Sequence, residues 1–428
     1  MNKKNIYHNV IWLFFDKILR ILGGIFISVW VARYLGPNDF GIFNYAMAFT
    51  GFFMVFVKLG FDQIITREIV KTPKLTHYLL GTAFVLKLVG SIVALLAIYL
   101  SMMYLEMDSL KKTIIFIISM GFLFQAIDVV DYFYQAKVLS KYTVIVRNVA
   151  FIFSSAVKIY FILNEYSVAY FAFTSVIELM IAGILFIIVY KKTGEYINQW
   201  RYNSKIAMRL LKFSWPIGLS TFLVSIHMKI DQVMIGEMLN TEQVGIYSVA
   251  VRLSEFWIFI PGILVSTLLP YFVNLRERNN KLYHYRLLQF YSLMFWMGVS
   301  VGCGAIFFGE DIIVLLFGVT YIGAYEALVF NIWAGIFMAQ SAAKGIWVLS
   351  ENKQFYRIVA NIIATIINIS LNVILIPKYG ISGAAAATLI TRFSNNWVTP
   401  IFIPSYRGNT IESIKSINPF YVYKRRTK

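Results

Sequence analysis

WVARYLGPNDFGIFNYA, Trp30 to Ala46, crowds Arg, two Gly, Pro, Asn and Asp between two long apolar runs. Such punctuation suits a tight hairpin between helices. Pro37 is tolerated at a helix start, and Asn38 or Asp39 supplies a capping oxygen for the helix that follows. Displaced by 204 positions, the pattern returns as MIGEMLNTEQVGIYSVA, Met234 to Ala250. Leu35/Leu239, Gly41/Gly245, Ile42/Ile246 and Ala46/Ala250 are identical, and Val31/Ile235 and Phe43/Tyr247 are similar. A third G-I-x-x-x-A, Gly380, Ile381 and Ala385, opens the last apolar run. The stretch is therefore a repeated joint, and the chain divides into two comparable halves.

The flanking runs set the class. The 428 residues are 59 % hydrophobic and only 14 % charged, with mean hydropathy +0.69. A soluble protein carries about 25 % charged residues. Runs such as Gly81 to Tyr104, Ile114 to Val130, Val168 to Tyr190 and Asn361 to Pro377 are long enough to cross a hydrocarbon core of about 30 Å. Breaks rich in Gly, Pro, Asn and charge predict twelve spans, at 9–34, 38–62, 76–104, 112–134, 143–163, 167–190, 209–238, 243–273, 283–308, 323–349, 354–377 and 381–404. The expected fold is an all-α integral membrane protein of twelve transmembrane helices. They form two six-helix lobes, 1–190 and 209–404, joined by a cytoplasmic linker at 191–208 and followed by a basic tail at 405–428. Six spans per half give the lobes the same orientation, a parallel repeat whose substrate site lies between them.

Charge orients the chain. The N-tail, the loops after spans 2, 4, 6, 8 and 10 with their flanking turns, and the C-tail hold 26 of the 39 lysines and arginines. The opposite side has only Arg33, Lys111, Lys112 and Lys378. By the positive-inside rule both termini are cytoplasmic. The net charge of +18 then reports loops facing anionic lipid, and no nucleic-acid partner is expected. The single cysteine, Cys303, permits no intrachain disulfide. The basic N-terminus lacks a cleavable signal pattern, so the first span is expected to be retained. The tail is read as a solvated, lipid-facing end.

Three segments carry a family resemblance. The first is VARYLGPNDFGIFNYAMAF with the KLGFDQIITREIVK loop (Lys58 to Lys71). The second is IDQVMIGEMLNTEQVGIYSVAVRL (Ile230 to Leu253). The third is NISLNVILIPKYGISGAAAATLIT (Asn368 to Thr391), with its N-x₃-N-x₄-P-x-x-G-I-x-G-A-A pattern. They resemble the polysaccharide flippases of the multidrug/oligosaccharidyl-lipid/polysaccharide exporter superfamily. That resemblance implies a MATE-like fold in the bacterial inner membrane. It further implies movement of undecaprenyl-pyrophosphate-linked oligosaccharide repeat units to the periplasmic leaflet for O-antigen, capsule or related polymers, beside the pathway's polymerase and glycosyltransferases.

Charges inside spans indicate what is carried. One at the bilayer centre costs on the order of 3 kcal/mol and faces a polar cavity as a rule. Basic residues exceed acidic ones there, which favours an anionic substrate. The candidates for binding its head group are Arg20, Lys87, Lys229, Arg252, Lys344 and Arg392. Asp128, Glu178, Asp231 and Glu255 are candidates for charge balance or for coupling to H⁺ or Na⁺. Competing readings accompany several. Lys17, Lys58, Lys87 and Lys158 lie where snorkelling to headgroups also explains them. Arg252 and Glu255 share a helical face and would neutralise each other. Asp128 and Asp131 read as a solvated interfacial pair. Lys229 and Asp231 diverge by about 200° on one helix, so each needs a partner elsewhere.

No P-loop, dinucleotide fingerprint, H-E-x-x-H or paired-cysteine motif is present. No cofactor, metal site or catalytic residue is expected, and the chain reads as a transporter rather than an enzyme. A membrane polymerase or ligase would need a large outer loop with catalytic charges. A multidrug cation antiporter of the same fold would want acidic residues to dominate its cavity.

Overall fold

The computed structural model describes the backbone of residues 3–351 and 353–424, and their side chains other than 3–11, 13–15, 17–18 and 354–358. The Lys17 side chain and tail residues 425–428 lie outside what is described. All regular structure among the described residues is helical. The elements are α1 (Lys3–Lys58), α2 (Phe61–Lys71), α3 (Thr76–Tyr104), α4 (Ser109–Phe124), α5 (Val129–Ala136), α6 (Ser140–Leu163) and α7 (Val168–Lys192). They continue with α8 (Ser204–Met238), α9 (Thr241–Arg278), α10 (Asn280–Phe317), α11 (Tyr325–Ser350), α12 (Gln354–Phe393), α13 (Pro404–Lys415) and α14 (Pro419–Lys424). Among the described residues nine helical stretches are long and apolar enough to cross a membrane, and the protein is multi-pass.

Two of the nine, Leu19–Lys71 and Val359–Ile401, have 53 and 43 residues. Straight, they would reach about 80 and 65 Å, at least twice the hydrocarbon thickness. Each is broken at a glycine: Gly36 has φ 70° and ψ 174°, and Gly380 has φ 59° and ψ −140°. Gly36 occupies a backbone region open in practice to glycine alone. Pro37 then sits in the first turn beyond the break, where its missing N–H costs nothing. Asn38 and Asp39 therefore lie inside the helix and do not cap it, contrary to the sequence expectation. In the second copy the equivalent residue is Asn240. It is extended (φ −163°, ψ 175°), and its side chain accepts from the Gln243 N–H at 2.9 Å. Both copies of the motif break the helix at the same position.

Two compact units divide the chain, Met1–Lys229 and Ile230–Lys428. In the first, α1 packs on α3, α4 and α6, and α7 on α4 and α6. In the second, α11 is central, against α9, α10 and α12. The first unit departs from its expected spans in two places. Leu59 and Gly60 (φ 53° and 68°) end α1 and turn the chain into α2, where a loop was expected. Gly60 also approaches α8 so closely that a Cβ would lie 2.8 Å from the Gly218 amide nitrogen. Further along, span 4 is divided into α4, a 3₁₀ turn at Gln125–Asp128, and α5.

The apolar face of α2 (Phe61, Ile64, Ile65, Ile69) follows helical spacing and joins Leu79, Leu80, Val129, Val130, Phe133, Phe186 and Tyr190 in one buried cluster. The segment after α7 is packed as well. The Trp200 ring lies 5.8 Å from that of Tyr190 and 5.6 Å from that of Phe84, and the Asn203 N–H donates to Thr82 Oγ1 at 3.1 Å.

Candidate functional site

In the first unit the in-span charges form a connected network. Lys87 on α3 is 1 % exposed, so it does not snorkel. Its Nζ donates to the Tyr132 hydroxyl at 3.3 Å, and that hydroxyl donates to Asp62 Oδ1 at 2.5 Å. Asp128 is half-buried and close enough to Lys87 to balance it electrostatically. Asp131 is buried. Its carboxylate takes the Arg147 guanidinium at 2.7 Å and the Thr143 hydroxyl at 2.7 Å. The expected solvated Asp128/Asp131 pair is therefore corrected. The turn at Gln125–Asp128 rotates the two residues into the helix packing, where Lys87 and Arg147 compensate them. Higher on α1, Arg20 pairs with Glu178 of α7 at 3.6 Å, both partly exposed.

Asp62 also borders a cavity of about 140 Å³ inside the same unit. Lys58, Gln63, Thr221 and Ser225 supply the rest of its polar lining, and Gly60 and Gly218 line it with backbone. Ammonium, carboxylate and amide groups from the α1–α2 corner and hydroxyls from α8 suit a polar, hydroxyl-bearing ligand. Behind the wall, Tyr132 and Lys87 fix the carboxylate of Asp62. Glu68 is buried beneath it and pairs with Arg209 of α8 at 3.0 Å.

The second unit centres on Asp231, 6 % exposed. It accepts from Asn372 Nδ2 at 2.6 Å, the Thr388 hydroxyl at 2.5 Å and the Tyr247 hydroxyl at 3.0 Å. Arg392 lies within electrostatic reach of it. Four atoms on the same helix have no hydrogen-bond partner although buried: both polar atoms of Asn368, Asn372 Oδ1 and Thr391 Oγ1. A carboxylate among amide and hydroxyl oxygens is donor chemistry for a hard cation or a proton. The sequence offered a signal here. Asn368 and Asn372 are the N-x₃-N pair, four apart and hence on one face, and both are fully buried.

The remaining candidates are dispersed. Lys344 is buried, and its Nζ donates to the Asn396 carbonyl at 2.5 Å within a π-helical turn at Ser394–Val398. Arg252 is half-buried and Glu255 exposed. They interact electrostatically but do not close to an ion pair, so the expected mutual neutralisation is incomplete. Lys229 is half-buried. Arg20, Lys87, Lys229 and Glu178 thus belong to the first unit with Asp128. Arg252, Lys344, Arg392, Asp231 and Glu255 belong to the second. Tyr132, Tyr247 and Thr388 were not legible as partners, because a tyrosine or threonine in an apolar span carries no sign of the carboxylate it will meet.

Comparison with known proteins adds the following. Residues 6–276 match the profile of a family described as polysaccharide biosynthesis protein. The capsular polysaccharide biosynthesis protein CapF of Staphylococcus aureus is 24 % identical over 399 residues, 90 % of this chain and 96 % of that one. The probable flippase AglR of Haloferax volcanii is 26 % identical over 259 residues, 56 % of this chain and 50 % of that one. Among solved structures, the lipid II flippase MurJ in an inward closed conformation superposes with TM-score 0.73 at 16 % identity, over 98 % of this chain and 96 % of that one. An inward-facing multidrug transporter of the MATE family gives 0.65 at 13 % identity, over 98 % and 99 %.

Proposed function

The chain belongs to the polysaccharide biosynthesis protein family, and from that premise we propose that it is a flippase for lipid-linked oligosaccharide. In this reading it moves undecaprenyl-pyrophosphate-linked repeat units from the cytoplasmic to the periplasmic leaflet by alternating access. α1 and α12 cross the bilayer twice each through their glycine breaks, and α8 crosses once, which gives twelve spans with both termini cytoplasmic.

The observation that carries the reading is the polar relay that runs from exposed Asp62 at the cavity through buried Tyr132 to buried Lys87. Pyrophosphate and sugar hydroxyls cannot enter hydrocarbon without losing their hydrogen bonds. A cavity lined with fixed donors and acceptors replaces the lost water, while the prenyl chain stays in lipid. Arg20, with its planar fork, and Lys58 supply charge-assisted bonds to phosphate oxygens. Asp231 takes the coupling cation, H⁺ or Na⁺, with Asn368, Asn372 and Thr391 turning their unused oxygens toward it. Catalysis of bond chemistry has no part in this cycle.

Deletion of the gene in its host tests the proposal. Lipid-linked repeat units should accumulate in the inner leaflet and surface polysaccharide should be lost, both restored by the wild-type chain. Normal surface polymer in the deletion strain, together with new sensitivity to cationic dyes, would establish a multidrug antiporter instead.

A further inference from the structure

The residues after the last membrane helix form a built element rather than a free tail. On α13 the buried residues Tyr406, Thr410 and Ser413 recur at helical spacing. The Tyr406 hydroxyl donates to the Lys353 carbonyl at 2.7 Å, and its ring meets Trp347 edge-on at 5.1 Å. Lys353 Nζ returns a hydrogen bond to the Ser405 carbonyl at 3.0 Å. Farther along, the Tyr291 hydroxyl of α10 donates to Asn409 Oδ1 at 3.1 Å, and Trp296 Nε1 donates to the Ile417 carbonyl at 3.0 Å. The Tyr421 hydroxyl donates to the Glu412 carboxylate and clips α14 back onto α13.

What this strap presents outward is unusual for a water-facing surface. On α13, beyond Pro404 at its start, the exposed side chains are Arg407, Ile411 and Lys415, four residues apart on one face. On α14 they are Pro419, Phe420, Tyr423 and Lys424, and the strap begins at Phe402. Phe402, Phe420 and Tyr423 are 81, 78 and 65 % exposed. The one acidic side chain, Glu412, is turned to Tyr421, so the charges on the outward face are basic. The sequence then continues Arg425, Arg426, Thr427, Lys428.

The direction of the strap is set by α10. That helix starts among Arg278, Lys281 and Arg286, its water-facing end, and higher residue numbers run into the apolar stretch. The strap touches Tyr291 first and Trp296 second, five residues or about 7.5 Å deeper. Aromatic α14 is thereby carried toward the bilayer, and Arg407 is left on the water side.

We propose that the C-terminal strap, Phe402 to Lys424, is a binding surface for anionic phospholipid headgroups, with Phe420 and Tyr423 of α14 seated at the membrane interface. Aromatic rings favour that depth, and lysine and arginine stems snorkel from it to phosphate. Each basic residue held near an anionic surface strengthens attachment about fivefold. The partner is the leaflet beside the strap, and the device anchors the second unit to it.

The test uses the full chain with Cys303→Ser and Phe420→Cys carrying an environment-sensitive fluorophore. It is reconstituted in nanodiscs of phosphatidylcholine, with or without phosphatidylglycerol, and quenched by brominated lipid. Quenching should rise at least about twofold with phosphatidylglycerol and return to the phosphatidylcholine level with Arg407→Glu and Lys415→Glu together. A label on native Cys303, exposed on α10, reports correct insertion in both lipids. Equal quenching at 420 in the two lipids, or none while the Cys303 label is quenched, overturns the proposal and leaves a protein-docking face instead.

Discussion

Asp231 receives three hydrogen bonds, two of them from α12, where four buried polar atoms of Asn368, Asn372 and Thr391 have no partner. Buried polar groups cost free energy unless they are hydrogen-bonded, so a bound cation that engaged these oxygens would stabilise the fold. Na⁺ should therefore raise the thermal midpoint of the detergent-solubilised wild-type protein, since a ligand that binds only the folded state stabilises it. Asp231→Asn should abolish the increase, and an equal increase in both proteins would remove Asp231 from the coupling site. Lys87 is the counterpart in the first unit. Lys87→Met removes the donor to the buried Tyr132 hydroxyl and one of the cations near Asp128; a buried polar group deprived of its partner typically costs about 1–3 kcal/mol. Thermal unfolding should show a large fall in midpoint, and adding Asp128→Asn should recover part of it. Additive losses would mean that the two do not act as a pair.

Among the elements, the broken helix α1 and the α1–α2 turn carry the sharpest constraints. Gly36 has open space where a Cβ would go, so Gly36→Ala isolates the backbone term, about 1–3 kcal/mol for its φ and ψ. The folded yield should fall while Gly51→Ala, also with open space for a Cβ but at an ordinary helical φ on α1, leaves it nearly unchanged. Gly60→Ala should be worse, because the added methyl meets the backbone of Gly218 and Ser214 as well as an unfavourable φ. If Gly60→Ala purifies and unfolds like wild type, α8 is not held where the structure places it. The strongest sequence signal here was the repeated motif, which located both joints. It did not reveal that one is a break at a left-handed glycine, Gly36, and the other a capped break at extended Asn240. Only the conformation at the equivalent residue distinguishes them.

For the molecule as a whole, the twelve-span reading makes a direct prediction. In a Cys303→Ser background, cysteines at Glu106, Glu165, Glu242, Glu310 and Tyr379 should react with an impermeant thiol reagent applied outside intact cells. Cysteines at Lys74, Lys141, Arg278 and Lys415 should not, and a reversed pattern would invert the orientation. Composition, run length and the bias of lysine and arginine determined the class and the expected topology. These depend on properties each residue carries alone, namely transfer cost and charge. The partners of the buried charges were decided only by tertiary packing. Asp62 meets Tyr132 seventy residues away and Asp231 meets Thr388 across 157. A carboxylate's worth in an apolar medium depends on which donors surround it, and no local pattern records them.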